Sequence, residues 1–141
     1  LKKEEEIKVS IPAGINNGET VRMTGMGEAI RGGQAGDLYI KINVRSHNIF
    51  KRDGANLTMD LNIKLSEALL GMTYPLKTLD GHIEVKIPEG INHGELLRVR
   101  GKGVPQGSHR GDIIIRIQIK MPTKLSRKAK EAIEKIKEEG L

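Results

Sequence analysis

Residues 7–27 read IKVSIPAGINNGETVRMTGMG, and residues 83–103 read IEVKIPEGINHGELLRVRGKG. Aligned at an offset of 76, twelve of these twenty-one positions are identical. A second echo lies downstream: Gly36-Asp37 opens DLYIKINV, and Gly111-Asp112 opens DIIIRIQI at an offset of 75. The chain therefore carries two copies of one supersecondary unit in the same order. Two copies are too few for a solenoid, which needs three or more to bury its faces. The pattern predicts a pair of homologous small β domains.

Inside each copy the apolar residues alternate with polar ones, the period of a half-buried strand. Ile7, Val9 and Ile11 alternate until Pro12 and Gly14 end the run, and Asn16-Asn17-Gly18 is a turn signal. Val21 and Met23 then alternate with Thr20, Arg22 and Thr24, so 7–11 and 20–24 are expected to be neighbouring strands. A glycine-rich loop over 25–36 leads to a strand carrying Leu38, Ile40, Ile42 and Val44. Residues 47–54, HNIFKRDG, interrupt the pattern and are read as a crossing between the two units. Leu57, Met59, Leu61 and Ile63 resume it, and SEALL at 66–70 suits a short helix with Ser66 as N-cap and Gly71 as stop. A hairpin is expected at Leu79-Asp80-Gly81, since Asp-Gly favours a two-residue turn. From Leu125 the period changes. Leu125, Ala129, Ala132, Ile133 and Ile136 form one stripe of an amphipathic helix, with Ser126 as N-cap and Gly140 as stop.

The expected fold class is mainly β: two tandem β-sandwich-like domains at 1–55 and 56–122, then a helix within 123–141. The second copy is preceded by a strand, a short helix and a hairpin, whereas six residues precede the first. The first domain is therefore expected to be truncated at its N-terminus, and a chain starting at Leu1 fits a fragment of something longer. At 141 residues with 37% hydrophobic and 2% aromatic side chains, each half must build a thin aliphatic core. The 24 basic and 18 acidic residues leave a net charge of +6, which favours solubility and some attraction to acidic partners. Without cysteine there are neither disulfides nor cysteine-held zinc. No apolar run reaches the roughly 18 residues of a membrane helix.

Several motifs stand in a characteristic order: IPxGINxG, the Gly-Asp strand openers, HNIFKRDG, LSEALLG, the TLDG hairpin, RGKGVP and MPTKLS. Over about Ile7 to Ile136 the chain resembles the C-terminal substrate-binding region of the DnaJ family of co-chaperones. The resemblance implies two β domains end to end, a helical dimerisation segment and a forked homodimer. Such a dimer holds unfolded client polypeptides for a DnaK-type chaperone in the cytoplasm. The chain has neither the His-Pro-Asp motif of a J-domain nor CxxCxGxG repeats. It should therefore not stimulate the partner's ATPase by itself, and any zinc module would lie upstream of Leu1. No cofactor is expected in the chain itself.

The family's client groove, matched position by position, falls on Ile7 and Ile40, and Val9 and Ile42 share their strand parity. The competing reading makes all four ordinary core residues. Arg45, Lys51 and Arg52 are candidate contacts for an acidic tail of the partner chaperone, against the plainer reading of solvated charge. Phe50 reads as a plug at the domain boundary. Leu125, Ala129, Ile133 and Ile136 are the expected dimer stripe, with packing back on the second domain as the alternative.

Enzyme readings fail on the residues. His47, His82, His93 and His109 show no HxxxH or HExxH spacing, and there is neither a GxSxG elbow nor a phosphate-cradling GxxxxGK[ST]. Binding of nucleic acid is the main alternative for a basic chain. Three scattered rings, Tyr39, Phe50 and Tyr74, make no stacking platform, however, and Arg127-Lys128 with Lys130 is the one basic run. Arg110-Gly111-Asp112 corresponds to Ala35-Gly36-Asp37 in the first copy, so the Gly-Asp serves a turn. Asn56-Leu57-Thr58 is a glycosylation sequon that matters only in a secreted chain.

Overall fold

The computed structural model of the chain describes residues 6–27 and 35–141. Its elements follow as β1 (Thr20–Met23), β2 (Leu38–Lys41), β3 (Lys51–Asp53), β4 (Asn56–Lys64), α1 (Leu65–Leu70), β5 (Met72–Thr78), β6 (Gly81–Ile87), β7 (Leu96–Val99), β8 (Pro105–Gln106), β9 (His109–Arg110), β10 (Ile113–Lys120) and α2 (Arg127–Glu138). The fold is mainly β with a short C-terminal helix. One sheet has the order β3-β4-β10-β7, and β1-β2, β5-β6 and β8-β9 are two-stranded. The chain divides into two compact units, Leu1–Thr58 with Arg100–Ile113, and Met59–Val99 with Ile114–Leu141. Residues 100–113 come from the second copy of the repeat yet belong to the first unit.

The repeat is visible in the backbone hydrogen bonds, bond for bond. In the first copy Gly18 N–H donates to the Ile42 carbonyl (2.8 Å), Ile42 N–H to that of Glu19 (2.8 Å) and Glu19 N–H to that of Asn16 (3.2 Å). In the second, Gly94 N–H donates to Ile117 (2.7 Å), Ile117 N–H to Glu95 (2.9 Å) and Glu95 N–H to Asn92 (3.2 Å). Asp37 Oδ1 accepts from Gly25 N–H at 3.1 Å, and Asp112 Oδ1 accepts from Gly101 N–H at 2.8 Å. The Gly-Asp pair is thus a fixed device: its carboxylate satisfies the amide of the preceding turn, a role that a short acceptor side chain fills well.

In the first unit β1 and β2 pair antiparallel, with Val21 opposite Ile40 and Met23 opposite Leu38. The core holds Phe50, Leu57, Val104 and Ile113. The Ala55 carbonyl accepts from Val104 N–H at 2.7 Å. A Cβ at Gly111 would fall on the Ala55 carbonyl oxygen, so the Gly of this Gly-Asp is required by close backbone approach.

Two expectations fail in this unit. Residues 7–11 join no strand, and β1 pairs with β2 instead. The counterpart of 7–11, residues 83–87, is hydrogen-bonded within the hairpin to β5, and nothing among the described residues plays that part for 7–11. Residues 51–53 are not a bare crossing. They form β3, paired with the start of β4 through Lys51↔Thr58 and Asp53↔Asn56. Gly54, at φ +60°, closes that turn.

In the second unit Met59, Leu61 and Ile63 of β4, Leu76 of β5, Val85 and Ile87 of β6, and Ile115 and Ile117 of β10 are buried. Each such aliphatic side chain contributes about 1.5–3 kcal/mol by leaving water. The helix α1 begins at Leu65, and the Glu67 carboxylate reaches back to Lys64 N–H at 2.8 Å. Ser66 therefore sits inside the first turn and is not the cap; the reciprocal acid three residues into the helix takes that role. Gly71 ends α1 as expected, at φ +81°. In the hairpin Thr78 pairs with Gly81, so the two turn residues are Leu79 and Asp80, one position earlier than Asp-Gly. Thr78 fixes this register: its hydroxyl donates to the Gly81 carbonyl (2.7 Å) and accepts from Asp80 N–H (3.2 Å). At the C-terminus Ser126 Oγ accepts from Ala129 N–H at 3.0 Å, Gly140 follows at φ +84°, and no residue of α2 is buried.

Candidate functional site

The candidate groove residues lie in the first copy of the repeat. Val21, Met23, Leu38 and Ile40 share one face of the β1-β2 ribbon, because antiparallel partners point the same way and side chains alternate along each strand. All four are only half-buried. Ile42 follows the end of β2 and is also half-buried, as is Val9, while Ile7 is 36% exposed. Ile7 and Val9 lie in the segment that forms no strand, so of the four only Ile40 lies in a strand, with Ile42 just past its end and held by its backbone bonds to Gly18 and Glu19.

The second copy gives the comparison. Ile40 and Ile42 correspond to Ile115 and Ile117, which are both 0% exposed, and Val9 corresponds to the buried Val85. Ile7 corresponds to the half-buried Ile83. The same sequence face closes a core in one copy and stays open in the other. Backbone pairing differs in the same sense. The counterpart of β2 is β10, which has β4 on one side and β7 on the other. Among the described residues β2 is paired with β1 alone, and no described strand takes up the N–H and C=O groups of its other edge. On the opposite face of the ribbon Tyr39 is 62% exposed.

The three basic candidates have different environments. Arg45 and Lys51 are exposed. Arg52 turns inward: its guanidinium donates to the carbonyls of Gly54 (2.9 Å), Ile15 (2.7 Å) and Gly14 (2.6 Å). It pins the IPAGIN turn that follows the groove segment. Gly14 lies at φ +82°, and a Cβ there would fall on the Pro105 carbonyl oxygen, so the turn is packed as well as pinned. Nothing in the sequence spacing announced this clamp, because Arg52 and Gly14 are 38 residues apart. His47 was also missed. Its Nδ1 accepts from the N–H groups of Ile49 (3.0 Å) and Phe50 (3.2 Å), and its ring lies 5.2 Å from that of buried Phe50.

A second apolar surface lies in the second unit. A depression of about 560 Å³ is lined by Leu65 and Leu69 of α1, Met121 and Pro122 after β10, and Ile133 and Ile136 of α2. Of the expected dimer stripe, Leu125, Ile133 and Ile136 are exposed and Ala129 is half-buried. Among the described residues no group of three or more His, Asp or Glu side chains is placed to hold a metal ion. No helix among them is long and apolar enough to cross a membrane.

Comparison with known proteins agrees with this architecture. Residues 1–122 match the family described as DnaJ C terminal domain. The chain belongs to the DnaJ C-terminal domain family. Among curated relatives it is 44% identical over 134 residues to the chaperone protein DnaJ of Psychrobacter arcticus, covering 93% of this chain and 36% of that protein. It is likewise 44% identical over 140 residues to the chaperone protein DnaJ of Fusobacterium nucleatum, covering 97% of this chain and 36% of that one. The chain spans about a third of the length of these DnaJ relatives.

Proposed function

We propose that the chain is the client-binding part of a co-chaperone, taking non-native polypeptides on the open apolar face around Ile7, Val9, Ile40 and Ile42. The observation that carries this reading is the contrast between the copies: Ile40 and Ile42 are half-buried where Ile115 and Ile117 are fully buried. An extended client can add main-chain hydrogen bonds along the edge of β2 that no described strand occupies, while its alternate side chains settle on the apolar face. Each Leu or Phe it buries contributes about 1.5–3 kcal/mol, part of which ordering of the client offsets. The result is weak, reversible and sequence-tolerant binding, suited to handing clients on to a DnaK-type chaperone in the cytoplasm.

In this reading Arg45 and Lys51 attract an acidic tail of the partner chaperone, and Arg52 adds charge while holding its turn. The stripe Leu125, Ala129, Ile133 and Ile136 serves a homodimer, whose two arms raise avidity for a long client. Within each arm 1–55 is the client-binding β domain, 56–122 the second β domain and 123–141 the dimerisation helix, and the reading needs neither catalysis nor a cofactor in this chain. The test is suppression of aggregation of a denatured model protein by the chain and by an Ile7→Ser/Ile40→Ser variant of matched circular dichroism. The wild type should protect and the variant should lose most of that protection. Equal protection by both would remove the groove from these residues.

A further inference from the structure

We propose that Asn17 is a deamidation site, and that opening of its turn sets the rate in the folded chain. Asn17 is the one asparagine followed by glycine; the others precede Asn, Val, Ile, Leu or His, whose side chains crowd the backbone nitrogen that must attack. Both residues are exposed, and Gly18 sits at φ +86° with open space around its Cα.

The folded turn occupies both reacting groups. Gly18 N–H donates to the Ile42 carbonyl at 2.8 Å, and Asn17 Oδ1 accepts from Val44 N–H at 2.7 Å. Opening frees them. The Gly18 amide nitrogen, having lost its proton to solvent base, then attacks Asn17 Cγ; the N–Cγ bond forms and the Cγ–Nδ2 bond breaks. Nδ2 takes up a proton and leaves as ammonia, which closes a five-membered succinimide. Water adds to one of the two ring carbonyls and leaves aspartate or isoaspartate at position 17, so the net change is amide plus water to carboxylate plus ammonium. The aspartate product keeps an oxygen for Val44 N–H. Isoaspartate lengthens the main chain by one methylene inside the turn and uncouples Gly18 from Ile42. The matching position of the second copy lacks this chemistry, because His93 takes the place of Asn17 and its Nδ1 accepts from Ile119 N–H at 2.9 Å.

Two exposed hydrogen bonds together should hold the turn shut by roughly a factor of ten in rate. The experiment incubates the full chain in mildly alkaline buffer, folded and in urea, and follows peptide mass spectra over time. Isomerisation at Asp53-Gly54 or Asp80-Gly81 releases no ammonia and leaves the mass unchanged, so it does not confuse the reading. The expected result is conversion at Asn17 in both states, about tenfold slower in the folded chain. A Val44→Pro variant, which removes the N–H donor, should recover much of the difference. Conversion first at another asparagine, no conversion at Asn17 in the folded chain while the denatured chain converts, equal folded and denatured rates, or no acceleration in Val44→Pro would each overturn the proposal.

Discussion

Truncating Ile115 and its repeat counterpart Ile40 to alanine should have unequal effects, and the inequality can be worked from their surroundings. Ile115 is fully buried between neighbouring strands, so Ile115→Ala loses the transfer energy of three carbons and leaves a cavity. Such changes cost about 2–5 kcal/mol, and complete burial places this one at about 3. Ile40 is half-buried on an open ribbon, where water fills the space left behind. About 0.8 kcal/mol for each fully buried carbon, halved for exposure and with no cavity, gives roughly 1 kcal/mol. With a urea slope of about 1.5 kcal/mol/M, Ile115→Ala should lower the midpoint by about 2 M and Ile40→Ala by about 0.7 M. Tyrosine fluorescence separates the units, because the chain has no tryptophan, Tyr39 lies in the first unit and Tyr74 in the second. Each alanine variant is measured with the other unit's tyrosine replaced by phenylalanine. Equal shifts, or a larger shift for Ile40→Ala, would refute the claim that the first copy presents its repeat face to solvent.

Arg52→Met removes three N–H···O=C bonds from a charged donor and should cost about 1–2 kcal/mol, with faster hydrogen exchange over 14–18; unchanged exchange there would mean that the turn stands without its clamp. His93→Asn, which installs the first copy's residue, should leave the melting temperature within a degree or two. His93→Ala, lacking an acceptor for Ile119 N–H, should lose up to about 1 kcal/mol, and equal melting of the two variants would contradict the matched roles of Asn17 and His93. Ser126→Ala should cost α2 about 1 kcal/mol and reduce the helical circular dichroism signal, since the Ala129 N–H loses its acceptor.

The repeat was legible because local chemistry fixes it. Alternation of Leu57, Met59, Leu61 and Ile63 needs only a strand with one face in a core, and Ser126 caps α2 through a contact three residues away. The errors come from interactions that sequence distance hides. Residues 7–11 have strand periodicity, but a strand also needs a partner, and periodicity does not say where one is. Ser66 has the composition of a cap, yet Glu67 reaches back one turn and moves the helix start to Leu65. Arg52 looked like free surface charge until the fold brought Gly14 and Ile15 beneath it. Of the candidate site, parity along the strand identified Ile40 and Ile42 as one face. Their exposure depends on what lies across from them, which no local pattern records.

The most direct test of the account is methyl NMR of the isoleucine-labelled chain titrated with an unfolded client polypeptide. The account predicts broadening or shifts at Ile7, Ile40 and Ile42, with the methyls of Ile115 and Ile117 unmoved. Perturbation confined to the second unit, or none at Ile7, Ile40 and Ile42 at saturating client, would contradict it.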